Sequence, residues 1–538
     1  MIQLTGQHGA VQSSPAQKCN QDQVRLWLSG TVYKGQQRLN AVELELELAA
    51  ALQQQQLSQF CRSLNGFFSV VWRQPSGWLL ITDKVRSRPL FWRAVNTAAS
   101  IRADAEQPLI ISDSVYQWPD DILSQDELSV EEFLHTGYVT GSATLFRGIA
   151  QVQSAQIVQL DTQGQVSCIQ NYDHFLAVNT AVDTMAQSEA FWLQQLDHRM
   201  TAVTARLISY ASGRQIVLPL SGGYDSRILA VYLKRAGYSN LCCFTFGRKG
   251  SKEVEISKRV AKALGIRWYN VLYNRAMWQQ LSAQPEFERY LQFMHGAVSV
   301  PTLQVYPAIK QLTGQGVIQP DAVMVPGHTG DFISGGHLPS GVLQDKAQLF
   351  NHIVARHYEL SKAPLNEALK NKLQLQLDAM IESAEAVGAD LFAVAECWNW
   401  KERQAKFIVN SNRYYEFFKL DWWMPLWDCE LTNWYQSVPY PLRKGKKLWI
   451  RFVNQQMQAT SGLAITGNAD SVGTVWKKKL RNYFNYFCDT NAMAALMPFS
   501  RWLAYRCKLS KKLPVLFSFL AEQQIERMNR QYNGINEK

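Results

Sequence analysis

The chain has 538 residues, of which 47% are hydrophobic and 18% are charged, and this is ordinary globular composition for a protein that is too long for one hydrophobic core. We therefore expect two domains. No apolar run approaches the roughly 18 residues that a membrane helix requires, and the start at Met1 lacks the basic and apolar regions of a signal peptide. These features predict a cytoplasmic protein.

The net charge of +11 is concentrated late in the chain. Between Arg443 and Lys512 there are 14 Lys or Arg residues against two Asp residues, so this segment alone accounts for the excess. For most of these residues we predict a solvated basic surface. The alternatives are an attraction for a phosphorylated acceptor, for ATP or for an anionic membrane surface.

The nine cysteines are odd in number and form no CxxC pair, which argues against both a disulfide framework and a zinc site. Cys242 and Cys243 are adjacent in an apolar run, so their side chains point to opposite faces of a strand. We expect both to be small core residues.

The first 175 residues or so alternate short β-like runs with turns, as at 24–28, 67–72 and 78–82, which predicts stacked antiparallel sheets with few helices. A polar stretch at 179–184 follows. After it, apolar residues recur at steps of three and four from Ser188 to Ser209, and this spacing predicts a helix. The domain junction is predicted here.

Beyond the junction the pattern changes to strand, glycine turn, helix and strand. Apolar runs at 216–220 and 241–246 flank a helical segment from Ser226 to Ala236, with Gly237 as its C-terminal cap. Continuous apolar strands joined by a helix are typical of a parallel α/β sheet. After about residue 340 helical patterns dominate.

The glycine turn carries the clearest chemical signal. It reads Ser-Gly-Gly-Tyr-Asp-Ser from Ser221 to Ser226, directly between a buried strand and a helix. Gly222 and Gly223 allow the backbone to approach an anion, and the helix N-terminus offers free N–H groups. The two serine hydroxyls add hydrogen bonds, and Asp225 can hold Mg²⁺ against phosphates. The loop has neither a Walker lysine nor the third glycine of a dinucleotide loop.

This loop resembles the pyrophosphate-binding loop of the N-type ATP pyrophosphatases. Its context is similar to the asparagine synthetase family, through a second glycine-rich turn from Gly327 to Phe332 and later segments at 400–406, 424–428 and 442–448. The N-terminal part resembles the family's glutaminase module at 64–68, 83–91, 137–139 and 144–149. The resemblance implies an α+β glutaminase-like domain at 1–175. It also implies an α/β synthetase domain at 190–538, with a parallel sheet like that of adenine nucleotide alpha hydrolases.

The resemblance further implies a reaction. In the family a carboxylate attacks the α-phosphorus of ATP with release of pyrophosphate, and an amine then attacks the acyl-adenylate. Carried over to this chain, it places pyrophosphate and Mg²⁺ on the loop residues Ser221, Gly222, Gly223, Asp225 and Ser226. Asp331 becomes the second metal ligand, and the adenine lies against the backbone of Phe244, Thr245 and Gly247. The partners implied are a small-molecule carboxylate acceptor and ammonia or an amine.

Three positions depart from the family pattern. A family glutaminase needs an exposed N-terminal cysteine, whereas this chain begins Met1-Ile2 and carries Ser29-Gly30 where Asn-Gly is expected, so we predict a glutaminase fold without glutaminase activity. His328 stands where the family has a catalytic glutamate, and it is either a base or a solvated loop histidine. The family's late lysine has no clear counterpart. Lys478, with its neighbours Lys477 and Lys479, is the candidate by position, and a basic helix face is the alternative.

Three other functions stay open. One is a macrolactam- or β-lactam-forming synthetase, because relatives with degenerate glutaminase domains perform such reactions. A second is a nucleotide-binding pseudoenzyme that docks through the basic segment. The third is tRNA modification, which we rank last because paired reactive cysteines are not found, so nucleic acid is not expected as a partner. The sequence gives no indication of the oligomeric state.

Overall fold

The structure is a computed structural model that describes residues 2–3, 11–13, 25–93, 109–118, 123–174, 176, 187–339, 341, 343–361, 363–464, 496 and 515–533. The strands are β1 (Ile2–Gln3), β2 (Val11–Ser13), β3 (Arg25–Lys34), β4 (Gln37–Leu39), β5 (Leu64–Gln74), β6 (Gly77–Thr82), β7 (Phe91–Arg93), β8 (Ile110–Ser112), β9 (Ile149–Gln151), β10 (Gln156–Leu160), β11 (Val166–Asn171), β12 (Ile216–Pro219), β13 (Leu241–Gly247), β14 (Arg267–Leu272), β15 (Val323–Met324) and β16 (Asp421–Trp422).

The α-helices are α1 (Ala41–Gln53), α2 (Leu57–Ser63), α3 (Glu127–Thr136), α4 (Glu189–Ala211), α5 (Tyr224–Arg235), α6 (Lys252–Leu264), α7 (Arg275–Ser282), α8 (Pro285–His295), α9 (Tyr306–Gly314), α10 (Gly330–Ile333), α11 (Lys346–His357), α12 (Glu367–Glu385), α13 (Leu391–Trp398), α14 (Tyr414–Phe417), α15 (Cys429–Ser437), α16 (Tyr440–Arg443), α17 (Lys447–Ser461) and α18 (Val515–Met528). A π-helix at Asn399–Val409 continues α13, and 3₁₀ turns lie at Val115–Gln117, Pro425–Trp427 and Lys444–Lys446.

Two sheets stack in the N-terminal part of the chain. A mainly antiparallel sheet of seven strands has the order β11-β10-β6-β5-β3-β2 with β4 beside β3, and a second sheet has the order β1-β8-β7-β9. Val71 and Leu80 of the first sheet and Trp92 and Ile111 of the second pack in one buried cluster. The prediction of stacked antiparallel sheets is confirmed, and α1 to α3 supply the helices of this region.

A parallel sheet forms the centre of the remaining chain, in the order β14-β13-β12-β15-β16. Every described pairing in it is parallel, so the carboxyl ends of all five strands meet at one edge. β12 lies in the middle and is fully buried from Ile216 to Leu218, as its continuous apolar run requires. The α/β prediction is confirmed, and Cys242 and Cys243 are buried in β13.

The antiparallel sheets pack directly against the main part of the molecule. Asp428 accepts a hydrogen bond from Asn65 Nδ2 at 2.9 Å and pairs with Arg206. The ring of Phe67 lies edge-on against Trp423, with centroids 4.7 Å apart. One hydrophobic core therefore runs from the seven-stranded sheet into the parallel sheet.

A search of the described helices for a segment long and apolar enough to cross a membrane finds none.

Candidate active site

The glycine loop lies at the carboxyl edge of the parallel sheet, between β12 and α5. Helix α5 begins at Tyr224, and its N-cap, Gly223, provides no side-chain cap, so first-turn N–H groups stay available for an anion. The loop is closed by short contacts: Ser221 N donates to Ser226 Oγ at 3.1 Å, and Gly223 N donates to Ser221 Oγ at 3.1 Å. The two serine hydroxyls lie 3.2 Å apart. Hydroxyls and backbone donors thus converge on one small region.

The second glycine-rich turn approaches the first loop too closely for side chains. A Cβ on Gly327 would lie 2.7 Å from Ser226 N, and a Cβ on Gly330 would lie 2.5 Å from Asp225 Oδ1. Such distances essentially never occur for real Cβ atoms, so both positions require glycine. β15 positions this turn because it lies beside β12 in the sheet.

The close approach brings the two predicted metal ligands together. Asp225 Oδ2 accepts a hydrogen bond from the backbone N–H of Asp331 at 2.9 Å, and Asp225 Oδ1 accepts one from Trp449 Nε1 at 2.8 Å. Burial raises the pKa of Asp225 to about 6, and the charge of Asp331 adds to this rise. The Trp449 hydrogen bond and Lys446 oppose it.

Asp331 has the opposite electrostatic environment. Its Oδ2 lies 3.1 Å from His337 Nε2, and its Oδ1 pairs with Lys446 Nζ. These two partners, His337 first, hold the pKa of Asp331 well below its usual range. Asp331 therefore stays ionised at neutral pH, as a metal ligand must.

Lys446 and Trp449 are site residues that the sequence reasoning missed. Both lie at the start of α17, more than 100 positions after Asp331, and Lys446 adopts a left-handed backbone with φ of 61°. Lys446 lies within the basic run for which the sequence predicts mainly a solvated surface. In the structure, Lys446 contacts the site and Arg443 forms a buried pair with Glu396, whereas Lys444 and Lys447 are exposed.

His328 lies in the second turn with one ring nitrogen already engaged. Its Nδ1 is 3.1 Å from Asn412 Oδ1, and Asn412 Nδ2 donates to the Ile408 carbonyl at 2.9 Å. The amide oxygen must therefore accept from Nδ1–H, which leaves Nε2 as the basic nitrogen of the neutral ring. Burial lowers the pKa of His328 below its usual value, and the Asn412 hydrogen bond only partly opposes this.

β13, the strand predicted to contact the adenine, lies beside the glycine loop. The side chains of its predicted residues are buried inside the protein. The Phe244 carbonyl accepts from Leu220 N at 2.8 Å, and the Phe244 ring is buried. Thr245 is buried too, and its hydroxyl contacts the Leu220 carbonyl and lies 2.8 Å from Ser257 Oγ. Gly247 has a φ of 152° and ends the strand. Any contact of these residues with a base is therefore through the backbone.

The residues present fit ATP and Mg²⁺. Oxygen ligands suit Mg²⁺, which also keeps water and phosphate oxygens in its shell, and Asp225 with Asp331 would hold it. In the described part of the chain no group of three or more His, Cys, Asp or Glu side chains could hold a metal ion, so the two aspartates need phosphate oxygens to complete a site. Lys478 lies outside the described residues.

Comparisons with known proteins agree with this arrangement. Residues 200–449 match the asparagine synthase family model. A probable glutamine-hydrolysing asparagine synthetase of Acanthamoeba polyphaga mimivirus is 33% identical over 120 residues, which are 21% of this chain and 21% of the relative. A 7-cyano-7-deazaguanine synthase of Archaeoglobus fulgidus is 45% identical over 56 residues, 10% of this chain and 23% of the relative. The chain thus spans about a fifth of the length of the curated relatives that it matches.

Among solved structures, an NH3-dependent NAD synthetase from Campylobacter jejuni is 14% identical, with a TM-score of 0.23, over 40% of this chain and 94% of the other. The similarity to asparagine synthetases rests instead on the family model and on the mimivirus relative. The range of the family model includes the strand, glycine loop and second turn described above. Residues 200–449 therefore match an asparagine synthase domain, and part of the chain is similar to an asparagine synthetase.

Proposed function

We propose that the protein is an ATP-dependent ligase that adenylates a small-molecule carboxylate and transfers the acyl group to ammonia or an amine. One observation carries this proposal: Asp225 and Asp331 meet beside the uncapped N-terminus of α5, at the carboxyl edge of the parallel sheet. Parallel sheets bind ligands at this edge. The proposal includes two domains, a glutaminase-like domain at 1–175 and a synthetase domain at 190–538.

In the first step an acceptor carboxylate oxygen attacks the α-phosphorus of ATP, and the bond to the β,γ-pyrophosphate breaks. Ser221, Ser226 and the α5 N–H groups bind the departing pyrophosphate. Asp225 and Asp331 would hold Mg²⁺, which would supply positive charge for the departing pyrophosphate. Lys446, which pairs with Asp331, supplies a further positive charge for the pyrophosphate oxygens.

In the second step the amine nitrogen attacks the acyl carbon, the bond to AMP breaks, and a proton leaves the nitrogen. His328 Nε2 accepts that proton. Its Nδ1–H is fixed by Asn412, and its lowered pKa keeps the ring neutral at physiological pH, so Nε2 carries the lone pair that accepts the proton. His328 thus takes the role for which the family uses glutamate.

The nitrogen donor is ammonia or an amine rather than glutamine. This part of the proposal rests on the sequence, where Ser29-Gly30 replaces the Asn-Gly pair expected of a family glutaminase. A donor series of ammonia, hydroxylamine and glutamine tests it. Product with the first two and none with glutamine is the expected result, and equal product with glutamine contradicts it.

Carboxylate-dependent exchange of labelled pyrophosphate into ATP tests the first step. We expect exchange with at least one member of a panel of amino acids, sugar acids and aromatic acids, and loss of exchange in Asp331→Asn. Binding of MgATP without exchange for any member would contradict the ligase and favour a nucleotide-binding pseudoenzyme. Formation of a ring from a single substrate, without added amine, would favour a macrolactam- or β-lactam-forming synthetase.

A further inference from the structure

Strand β11 lies at one end of the seven-stranded sheet, and in the described part of the chain only β10 pairs with it. Every residue of β11 is exposed or half-buried. We infer that this edge pairs with β11 of a second copy, so that two chains join their seven-stranded sheets through an antiparallel contact. The inference concerns assembly and does not depend on the proposed reaction.

The length and composition of β11 distinguish it from the other sheet edges in the described part of the chain. Edge strands present unpaired N–H and C=O groups, and proteins usually protect such edges by keeping them short or by placing charged residues on them. The edge strands β1, β2, β4, β9 and β16 are two or three residues long, and β14 carries Arg267. β11 has six residues and contains neither a charged residue nor a proline, and the chain is uncharged from Thr162 to Tyr172. This edge therefore lacks both kinds of protection.

The backbone of β11 offers hydrogen-bonding groups to a second strand at alternate residues. Tyr172 N donates to the Ala155 carbonyl at 2.9 Å, so the backbone groups of Tyr172 face β10. These directions alternate along an antiparallel pair, so the backbone groups of Ile169 and Asn171 face away from β10. Of these two residues, Ile169 lies nearer the middle of β11. It is therefore the natural centre for pairing with a second strand.

Two apolar side chains of β11 lie on one face of the sheet. The register with β10 shifts at Gln159 and Leu160, and this shift places Val166 opposite Leu160 and Ile169 opposite Val158. Leu160 and Val158 are buried in the cluster between the two stacked sheets. Val166 and Ile169 lie on the same face as this cluster, but they remain 44% and 48% exposed. A second strand beside β11 would cover part of both side chains.

A second copy of the same strand fits these features together. With a two-fold axis at Ile169, this residue in each copy donates to and accepts from its equivalent in the other, and the two side chains form an apolar cross-strand pair. A charge near the middle of the strand would then lie close to its own copy and be repelled, so the absence of charge is what self-pairing requires. A two-fold contact also closes on itself, so it leaves no β11 edge open to further copies.

Sedimentation velocity of the full chain over a range of concentrations tests the contact. We expect a monomer–dimer equilibrium with a micromolar Kd, because the pairing of one edge strand is at the small end of specific interfaces. Ile169→Lys places like charges opposite each other and should raise that Kd at least tenfold. Leu375→Lys is the matched control, because Leu375 is 71% exposed on α12, and it should leave the Kd unchanged. Melting temperatures verify that both variants are folded.

Disulfide formation tests the register of the two strands. With the axis at Ile169, the two Cα atoms of this residue are about 5.5 Å apart, within the disulfide range of about 4.4–6.8 Å. Ile169→Cys combined with Cys168→Ser should therefore form a disulfide-linked dimer with oxidised glutathione, and Cys168→Ser alone is the control. The inference is overturned if the unaltered chain stays monomeric at its highest soluble concentration, or if Ile169→Lys dimerises like Leu375→Lys. It is also overturned if the Ile169→Cys variant forms no more linked dimer than its control.

Discussion

Replacing Lys446 with alanine separates catalysis from stability. The lysine pairs with Asp331 across a partly open site, since 22% of the Lys446 side chain and 44% of the Asp331 side chain are exposed. Exposed and partly exposed ion pairs contribute about 1 kcal/mol or less to stability. We therefore expect the free energy of unfolding of Lys446→Ala to fall by no more than about 1 kcal/mol.

The expected effect on the reaction is much larger. Removing one group that stabilises charge forming in a transition state typically costs about 10²–10³ in rate, or about 3–4 kcal/mol. Lys446 also lowers the pKa of Asp225, which burial has raised to about 6. Without the lysine that pKa rises further, so a larger fraction of Asp225 is protonated near neutrality. The loss in Lys446→Ala should therefore be greater at pH 6.5 than at pH 8.

The assay is pyrophosphate exchange into ATP at both pH values, with the melting temperature measured beside it. Lys447→Ala is the matched control, because Lys447 is the next residue, is exposed and begins α17. Exchange in Lys446→Ala within about threefold of Lys447→Ala would refute the role given to Lys446. A loss of exchange that is fully explained by a loss of folded protein would also refute the role given to Lys446.

Four further predictions concern the two turns. Gly330→Ala should abolish MgATP binding, because the new Cβ would lie 2.5 Å from the Asp225 carboxylate. Gly314→Ala is the control and should bind MgATP normally, because a Cβ at that position has no atom within 4 Å. Equal binding by the two variants would contradict the prediction. Asp225→Asn should lower exchange at least about 100-fold by removing a metal ligand, and exchange close to that of the unaltered chain would mean that Asp225 holds no metal. His328→Gln should keep exchange within about threefold and slow amide formation by about 10²–10⁴, whereas a parallel loss of both activities would assign His328 to the first step. Since burial lowers the pKa of His328, the transfer step of the unaltered chain, expressed per concentration of unprotonated amine, should stay constant from pH 8 down to 6.5, and a decline centred at 6.5 would contradict that environment.

Most of the fold around the loop could be predicted because its signals are local. The apolar run of β12, the glycine pair and the helical segment of α5 are consecutive in the chain, and Ser251 and Gly265 flank α6 as caps. The pairing of β16 with β15 could not be predicted in the same way. That strand is only two residues long, and its place in the sheet depends on packing from a segment nearly 100 residues away.

The candidate site likewise contains some residues that could be predicted from the sequence and others that could not. Asp225 and Asp331 follow strands of one parallel sheet, so their proximity is a consequence of topology that the two turns already indicate. Lys446 and Trp449 reach the site only because α17 packs against α5. In the sequence, Lys446 is one lysine of a basic run and Trp449 is one of 17 tryptophans. The one local hint is Gly445, whose positive φ of 66° precedes the left-handed Lys446 and the start of the helix.

Transfer of oxygen from the acceptor to AMP tests the central claim most directly. The acceptor that supports exchange is prepared with ¹⁸O in its carboxylate and incubated with ATP, Mg²⁺ and ammonia or hydroxylamine, and the nucleotide product is analysed by mass spectrometry. If the protein forms an acyl-adenylate, one ¹⁸O atom appears in AMP and pyrophosphate is released in equal amount. Formation of ADP and phosphate, or of AMP without the label, would contradict adenylation.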